Sequence, residues 1–346
     1  MRKAGKTAAG RRTARGDPRG AVSGPALVAP DSFKGSFPAV EVAAAIARGL
    51  RAAGQEALEM PLADGGEGTM DVLLDALGGE RRTATVADPL GRPVQAEFGL
   101  LPDGRTAIVE AAQASGLHHV ATEERDAWAA TSRGTGELIA AAAEAGAHTV
   151  IVTVGGSATT DGGSGALEAL DAVGVDPDIE VLCDVRTPFE DAARVFAPQK
   201  GADPDTVERL TRRLHQLVQD APRDPRGSAM TGAAGGLAGG LWAHRGARLR
   251  LGAGYVLDAV GFDERAQESS FVVTGEGRLD AQSLDGKVCG EVAARCRRQG
   301  VPCHAIVGQN GLESSEERTV ELAGVTEATT LEELEAAGRR LVSPDR

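Results

Sequence analysis

Five of the chain's 37 basic residues are lysine, and the three that lie beyond the first six residues each adjoin a glycine. They are Lys34 in Asp31-Ser32-Phe33-Lys34-Gly35, Lys200 in Pro198-Gln199-Lys200-Gly201 and Lys287 in Asp285-Gly286-Lys287. A sequence that uses arginine for ordinary surface charge, yet puts lysine into turns, asks there for a compact ammonium that can meet a phosphate or carboxylate as a point charge. The bland alternative is chance placement beside abundant glycine, of which there are 46.

Acidic, glycine-rich turns carry the partner chemistry. The segment from Thr274 to Lys287 holds the carboxylates Glu276, Asp280 and Asp285, the hydroxyls of Thr274 and Ser283 and the amide of Gln282. Gly275 and Gly277 allow backbone to approach a ligand, the following helix start offers free N–H groups to an anion, and carboxylates can hold Mg²⁺ beside phosphate. A second turn is Ala63-Asp64-Gly65-Gly66-Glu67-Gly68-Thr69. A third runs from Gly155 and Gly156 through Ser157, Thr159, Thr160 and Asp161 to Gly163, a pattern suited to a nest of backbone donors around an anion. A solvated loop with ordinary caps, or a tight turn without ligand, is the plain reading of each.

Two nucleotide-binding signatures are missing. Ala281 stands five residues before Gly286, where a Walker A sequence needs glycine, and no G-x-G-x-x-G follows a strand with an acid about 20 residues on. The glycine run Gly235 to Gly240 fits helix packing as well as a phosphate cradle.

The elements that must position these turns repeat an order of strand, loop and helix. Ala26 to Ala29 is an apolar run, followed by the loop Pro30 to Ser36 and a helix with Val42, Ile46 and Leu50 on one face that ends near Gly54. Thr149 to Val154 and Phe271 to Val273 enter the other two turns in the same way. The pattern predicts an α/β fold with a Rossmann-like doubly wound parallel sheet whose ligands lie beyond the carboxyl ends of the strands. Val94, Ala96, Phe98 and Leu100 alternate before an Asp103-Gly104 turn and an extended Thr106 to Glu110, a hairpin that implies an inserted mixed α/β domain. The expected division is a disordered basic tail over 1–24, the Rossmann-like domain over 25–64 and 262–346, and the insertion over 65–261. Helices are expected at Gly136 to Ala145, Asp205 to Val218 and Leu331 to Leu341, with Thr330 and Glu333 at capping-box spacing.

Charge narrows the partners. The tail carries seven basic residues against Asp17, so a chain of net charge −13 leaves −19 on the rest. Such a field disfavours nucleic acid and anionic membranes, and leaves any anion site dependent on locally placed cations. A nucleic-acid arm or an organelle address is the minor alternative for the tail. No apolar run nears the roughly 20 residues of a membrane span, and no apolar signal core opens the chain. Cys183, Cys289, Cys296 and Cys303 form no C-x-x-C pair, which favours core packing over metal and predicts a reducing cytoplasm.

With these segments in view, the chain resembles the bacterial type 1 glycerate kinase family. The resemblance rests on Ala29 to Gly35, Ala63 to Thr69, Asp88-Pro89-Leu90-Gly91, Gly134-Thr135-Gly136-Glu137-Leu138, Gly155 to Gly163, Phe196 to Ala202, Gly232 to Leu241 and Thr274 to Lys287, in the family's order. It implies ATP-dependent, Mg²⁺-assisted phosphorylation of D-glycerate, with 2-phosphoglycerate as product, in a cleft between two α/β domains. The chain departs from the family pattern in three places. The segment between Gly163 and Val181 is short, Arg186-Thr187-Pro188-Phe189 replaces an Asn-Pro-Leu type sequence, and Ala197 stands where glycine is usual.

Phosphoryl transfer asks a protein to align donor and acceptor and to neutralise charge. Lys34, Lys200 and Lys287, with Asp64 and Asp184, are the candidate catalytic residues. Asp31, Ser32, Gly65, Gly66, Glu67 and Gln199 are candidates at the substrate. Gly155, Gly156, Ser157, Thr159, Thr160, Asp161, Thr274, Gly275, Gly277, Gln282 and Ser283 are candidates at the nucleotide, and Glu276 and Asp280 at the metal. Which carboxylate takes the glycerate hydroxyl proton stays open among Asp64, Asp184, Glu276 and Asp280. A kinase of a related sugar acid and a non-catalytic sensor of small hydroxy acids are the alternatives; an oxidoreductase lacks its dinucleotide fingerprint. Oligomeric state is not read from the sequence.

Overall fold

The computed structural model describes residues 24–284, 286–312 and 321–342. The basic tail, Asp285 and the side chain of Gln282 therefore lie outside the described residues. Numbered along the chain, the strands are β1 (Ala26–Val28), β2 (Ala57–Glu59), β3 (Glu80–Ala87), β4 (Pro93–Leu100), β5 (Thr106–Glu110), β6 (Thr149–Thr153), β7 (Asp178–Cys183), β8 (Arg248–Leu251), β9 (Phe271–Leu279), β10 (Cys303–Asn310) and β11 (Gly324–Glu327).

They form two sheets. The first, in the order β11-β10-β9-β1-β2, is parallel throughout. The second, in the order β3-β4-β5-β6-β7-β8, is antiparallel from β3 to β5 and parallel from β5 to β8. Its strands all lie in sequence between β2 and β9, so a mixed α/β unit is inserted into a doubly wound parallel one.

Apolar layers join the units. Leu27, Val272 and Val288 of the first share one buried cluster with Ile108, Ile151 and Leu182 of the second. Completely burying side chains of this size contributes about 1.5–3 kcal/mol each, so the sheets are held by a common core as well as by their connections. The predicted helix face of Val42, Ile46 and Leu50 is buried in the helix Ala39–Ala52, where it meets Leu334 and Ala337 of the helix Leu331–Val342.

The hairpin and the three further helices form close to their predicted bounds, the latter as Arg133–Glu144, Pro204–Leu217 and Leu331–Val342. Three details differ. The largely exposed β3 extends the hairpin, and only Ala84 and Val86 at its end alternate toward the core. The capping box is half formed: Thr330 Oγ1 accepts from the Glu333 amide at 3.2 Å, while the Glu333 carboxylate accepts from Thr329 at 2.7 Å, one residue early. Finally, β9 continues through Thr274 to Leu279, where a loop was expected. A Cβ on Gly275 would stand 2.3 Å from the Ile306 carbonyl, so glycine is what lets the β9 and β10 backbones pair there.

Candidate active site

Connections from β1 run to β2 on one side, while β9 leads to β10 and β11 on the other, so β1 and β9 flank the topological switch point. The loop after β1 is anchored there by the Asp31 amide donating to the Gly275 carbonyl at 2.8 Å. Phe33 plugs the apolar cluster under helix Ala39–Ala52 and bridges to Phe37. The buried ring leaves the next residue, Lys34, 59% exposed at its side chain, with Nζ donating to Asp64 Oδ2 at 2.9 Å. Asp64 is only 3% exposed, and its Oδ1 accepts from the Gly66 amide at 3.1 Å. The acid is thus fixed by its own turn on one side and by the lysine on the other.

Two cavities meet at this pair. The first, about 430 Å³, lies at the carboxyl end of β9 and takes in Glu276, Gly277, Asp280 and Lys287. The second, about 560 Å³, lies at the carboxyl ends of β5, β6 and β7 and takes in Gly66, Glu67, Gly155, Gly156 and Asp184. Both share Asp31, Ser32 and Lys34 as a wall. The strand ends of both sheets therefore converge on one seam. The turns pack without side chains between them: a Cβ on Gly155 would come within 2.5 Å of the Gly66 backbone.

The seam has an excess of buried acid. Burial, and then the charge of Asp64, pushes Asp31 up to about 8. The same two causes raise Asp184, against the pull of Lys34. Burial also raises Glu276, whose Oε1 is buried with no hydrogen-bond partner. Burial works to lower the Lys34 ammonium, but Asp64 and Asp31 outweigh it and hold the group above its ordinary value. An unpaired carboxylate oxygen among acids that resist ionisation fits a bound cation, or donors of a ligand, better than it fits a closed core.

Several expected residues lie elsewhere. Lys200 lines neither cavity: it is 3% exposed and donates to Ser157 Oγ at 3.0 Å and to the Thr159 carbonyl at 2.6 Å. Burial lowers it to about 7 despite Asp161 and Asp184, so it is no free phosphate-seeking ammonium. Asp161 accepts from the Ser132 amide and hydroxyl, both at 2.8 Å, and from the amides of Gly163 and Gly165, which ties it to two helix starts. Thr159 and Thr160 have buried hydroxyls without partners but line neither cavity. Gln199 is exposed, and its carbonyl faces Arg125. Gly65 is buried against Gly252 and the Leu182 carbonyl. The Thr274 hydroxyl donates to the Ala29 carbonyl at 3.0 Å, and Ser283 bonds within its own turn to the Arg278 carbonyl and the Asp280 amide. Apart from Gln199 and the hydroxyls of Thr159 and Thr160, an internal hydrogen-bonding or packing need has claimed each group.

A model of the glycerate kinase family matches residues 26–178 and 171–341. The chain belongs to the glycerate kinase family. It is 40% identical over 331 residues to a glycerate kinase of Bacillus subtilis, covering 84% of this chain and 86% of that one. It is 39% identical over 328 residues to the glycerate 2-kinase of Escherichia coli, covering 82% and 84%. In three dimensions it matches a crystal structure of a candidate glycerate kinase 2 from Salmonella typhimurium LT2, with a TM-score of 0.76 at 36% identity over 92% of this chain and 97% of the other. The two stretches matched by the glycerate kinase family model overlap over residues 171–178, inside the segment between Gly163 and Val181.

Within this glycerate kinase family member, some resembling segments serve architecture. Asp88 accepts from the amides of Leu90 and Arg92, both at 2.8 Å, and so makes the turn between β3 and β4. Gly239 and Gly240 sit in the helix Leu237–Arg245 against Phe189 and Gly162, where a Cβ would clash, so these two glycines serve close packing. Among the cavity residues that escaped the sequence reading are Arg278, Gln309, Gln113 and Glu110. Glu110, the last residue of β5, is 3% exposed and borders the second cavity. It closes the second strand of the predicted hairpin, and that pattern gave it no mark.

Proposed function

We propose that this chain phosphorylates D-glycerate at carbon 2 with ATP and Mg²⁺, giving 2-phosphoglycerate, with transfer at the Lys34–Asp64 seam. The observation that carries the reading is the meeting of two cavities, each at the carboxyl ends of parallel strands, on one exposed lysine paired to a buried aspartate. Two substrates can then enter from separate sides and react at a shared wall.

The first cavity suits phosphate and cation. Lys287 precedes the twelve-residue helix Val288–Gln299, so an ammonium and a helix start stand together there. Mg²⁺ commonly takes one or two protein carboxylates and completes its shell with phosphate and water. Glu276, with its unpartnered Oε1, and Asp280 would hold it; when bound it neutralises charge on the transferring phosphoryl group.

Glycerate is assigned to the second cavity, against Asp31, Ser32 and the Gly66–Glu67 turn. Asp31, held near 8, is chiefly the neutral acid at pH 7 and can donate to the substrate carboxylate. Lys34 meets the same anion and the incoming phosphoryl charge. Asp184, raised by burial toward the range where a base is effective, takes the proton from the carbon-2 hydroxyl. We further take the units to divide at 64/65 and 261/262, and the enzyme to work in the cytoplasm, which suits its four buried free thiols.

The test is purified protein with ATP, MgCl₂ and D-glycerate, following ADP release and locating phosphate in the product by ¹³C and ³¹P NMR. Phosphate on carbon 2 is expected. Phosphate on carbon 3 would overturn the regiochemistry, and binding without turnover would overturn catalysis in favour of a sensor.

A further inference from the structure

Glu110 occupies a place that neither the seam chemistry nor a plain core explains. It ends β5, reaches across to the helix Thr69–Leu77, and accepts from the Met70 amide through Oε1 at 2.8 Å. The Gly68 amide lies near enough to favour the charge on the same carboxylate. Those amides are free donors at the start of a helix whose preceding residue, Gly68, is left-handed and has no side chain to cap it. The helix follows directly on the turn that carries Asp64 and, at Gly66, the donor that fixes Asp64. Glu110 thus supplies from another strand the cap that the local sequence lacks.

We propose that Glu110 is a positioning residue whose ionised carboxylate clamps the Gly65–Gly68 turn and the helix start behind it, and so holds Asp64 at Lys34. The inference rests on the reading of the seam as the place of phosphoryl transfer. A charged acceptor makes a shorter and roughly twofold stronger bond to an amide than a neutral one, and it answers the helix dipole as well. Burial, then Asp71 and Glu67, raises Glu110 to about 7 against the pull of the two amides. Asp71 is itself paired with Arg81 at 2.6 Å, while Asp31, Lys34 and Asp184 face the same cavity from the other elements around it.

The direction of this shift separates a working charge from a structural one. A folded-state value raised above that of the unfolded chain means that the native state binds the extra proton more readily. Ionising Glu110 therefore lowers stability as pH rises from about 4.5 through about 7. A cap selected for stability alone would do better as an amide, which accepts the same bonds without that penalty. What assigns the carboxylate to the turn is its geometry, reaching from β5 to the amide at the start of the helix that follows the turn.

The experiment compares the wild type with Glu110→Gln between pH 5.5 and 8.5 by kinetics and by thermal unfolding. At pH 8 the variant is expected to unfold about 2–4 °C higher than the wild type, with the gain vanishing near pH 5. At pH 8 its kcat/KM for D-glycerate is expected to be about tenfold lower, with the acid-side limb that Glu110 contributes in the wild type absent. Equal or lower stability at pH 8 together with an unchanged pH profile would overturn the proposal. The unfolding comparison reads the buried charge without turnover, so it stands even if the function assigned to the seam fails; a stability gain with no kinetic change would overturn the positioning role alone.

Discussion

The turns 155–163 and 274–287 are both glycine-rich, both carry hydroxyls and carboxylates and both follow or finish a parallel strand, yet their acids end in opposite states. Asp161 is surrounded by amide and hydroxyl donors from two helix starts. Glu276 keeps a buried oxygen with none. The lysines divide likewise: Lys34 is exposed at the seam, and Lys200 is sealed behind Ser157. Composition marks a turn as special, but unmet hydrogen-bonding capacity facing a cavity marks it as a site.

The contrast can be broken most forcefully at the seam. Lys34→Met should reduce kcat on the order of a thousandfold, the scale of losing a positioned charge at a phosphoryl group, with the unfolding midpoint shifted by only a few degrees. Circular dichroism beside steady-state kinetics checks this. A small kinetic loss accompanied by unfolding would return Lys34 to a structural role.

Asp161→Asn tests the other side. One amide nitrogen would face backbone donors, costing about 2–3 kcal/mol and lowering the unfolding midpoint by about 5–10 °C. The folded fraction should keep its KM for ATP within about threefold, as measured by kinetics normalised to native protein. A tenfold rise in KM without destabilisation would move the turn 155–163 back to the nucleotide.

Lys200→Met sharpens the comparison with the smallest effect. Because burial lowers Lys200 from 10.5 to about 7, the unfolded chain binds more protons between those values, and wild-type stability rises with pH across that window. The variant should therefore unfold about 4 °C above the wild type at pH 7, with the difference shrinking toward pH 10. A variant less stable than the wild type at pH 7 would mean that the bonds to Ser157 and Thr159 outweigh the buried charge.

Much of this architecture was legible in residue order. Apolar runs leading into glycine turns announced β1, β6 and β9, and the Asp103-Gly104 turn announced the hairpin that gave away the insertion. The largely exposed β3 was not legible, because its apolar alternation is confined to Ala84 and Val86 after an Arg-rich start. At the site, the loop of Asp31 and Lys34, the turn of Asp64 and the acids Glu276 and Asp280 line one cavity, as loops at the ends of parallel strands can. Lys200 and Asp161 did not announce their burial, since a lysine or aspartate beside glycine reads the same whether its partners are ligand atoms or amides far away in sequence. Glu110 was hidden for the converse reason: its donor, the Met70 amide, lies forty residues upstream, and nothing local to β5 shows that a helix start needs a cap.

The central claim is that transfer takes place at the Lys34–Asp64 seam. It is tested most directly by a crystal structure with a non-hydrolysable ATP analogue, Mg²⁺ and D-glycerate bound together. The account predicts the terminal phosphate and the carbon-2 hydroxyl on either side of Lys34, both within hydrogen-bond reach of its ammonium or of the groups it contacts. A terminal phosphate seated against Lys200, or a glycerate hydroxyl remote from Asp64 and Asp184, would contradict it.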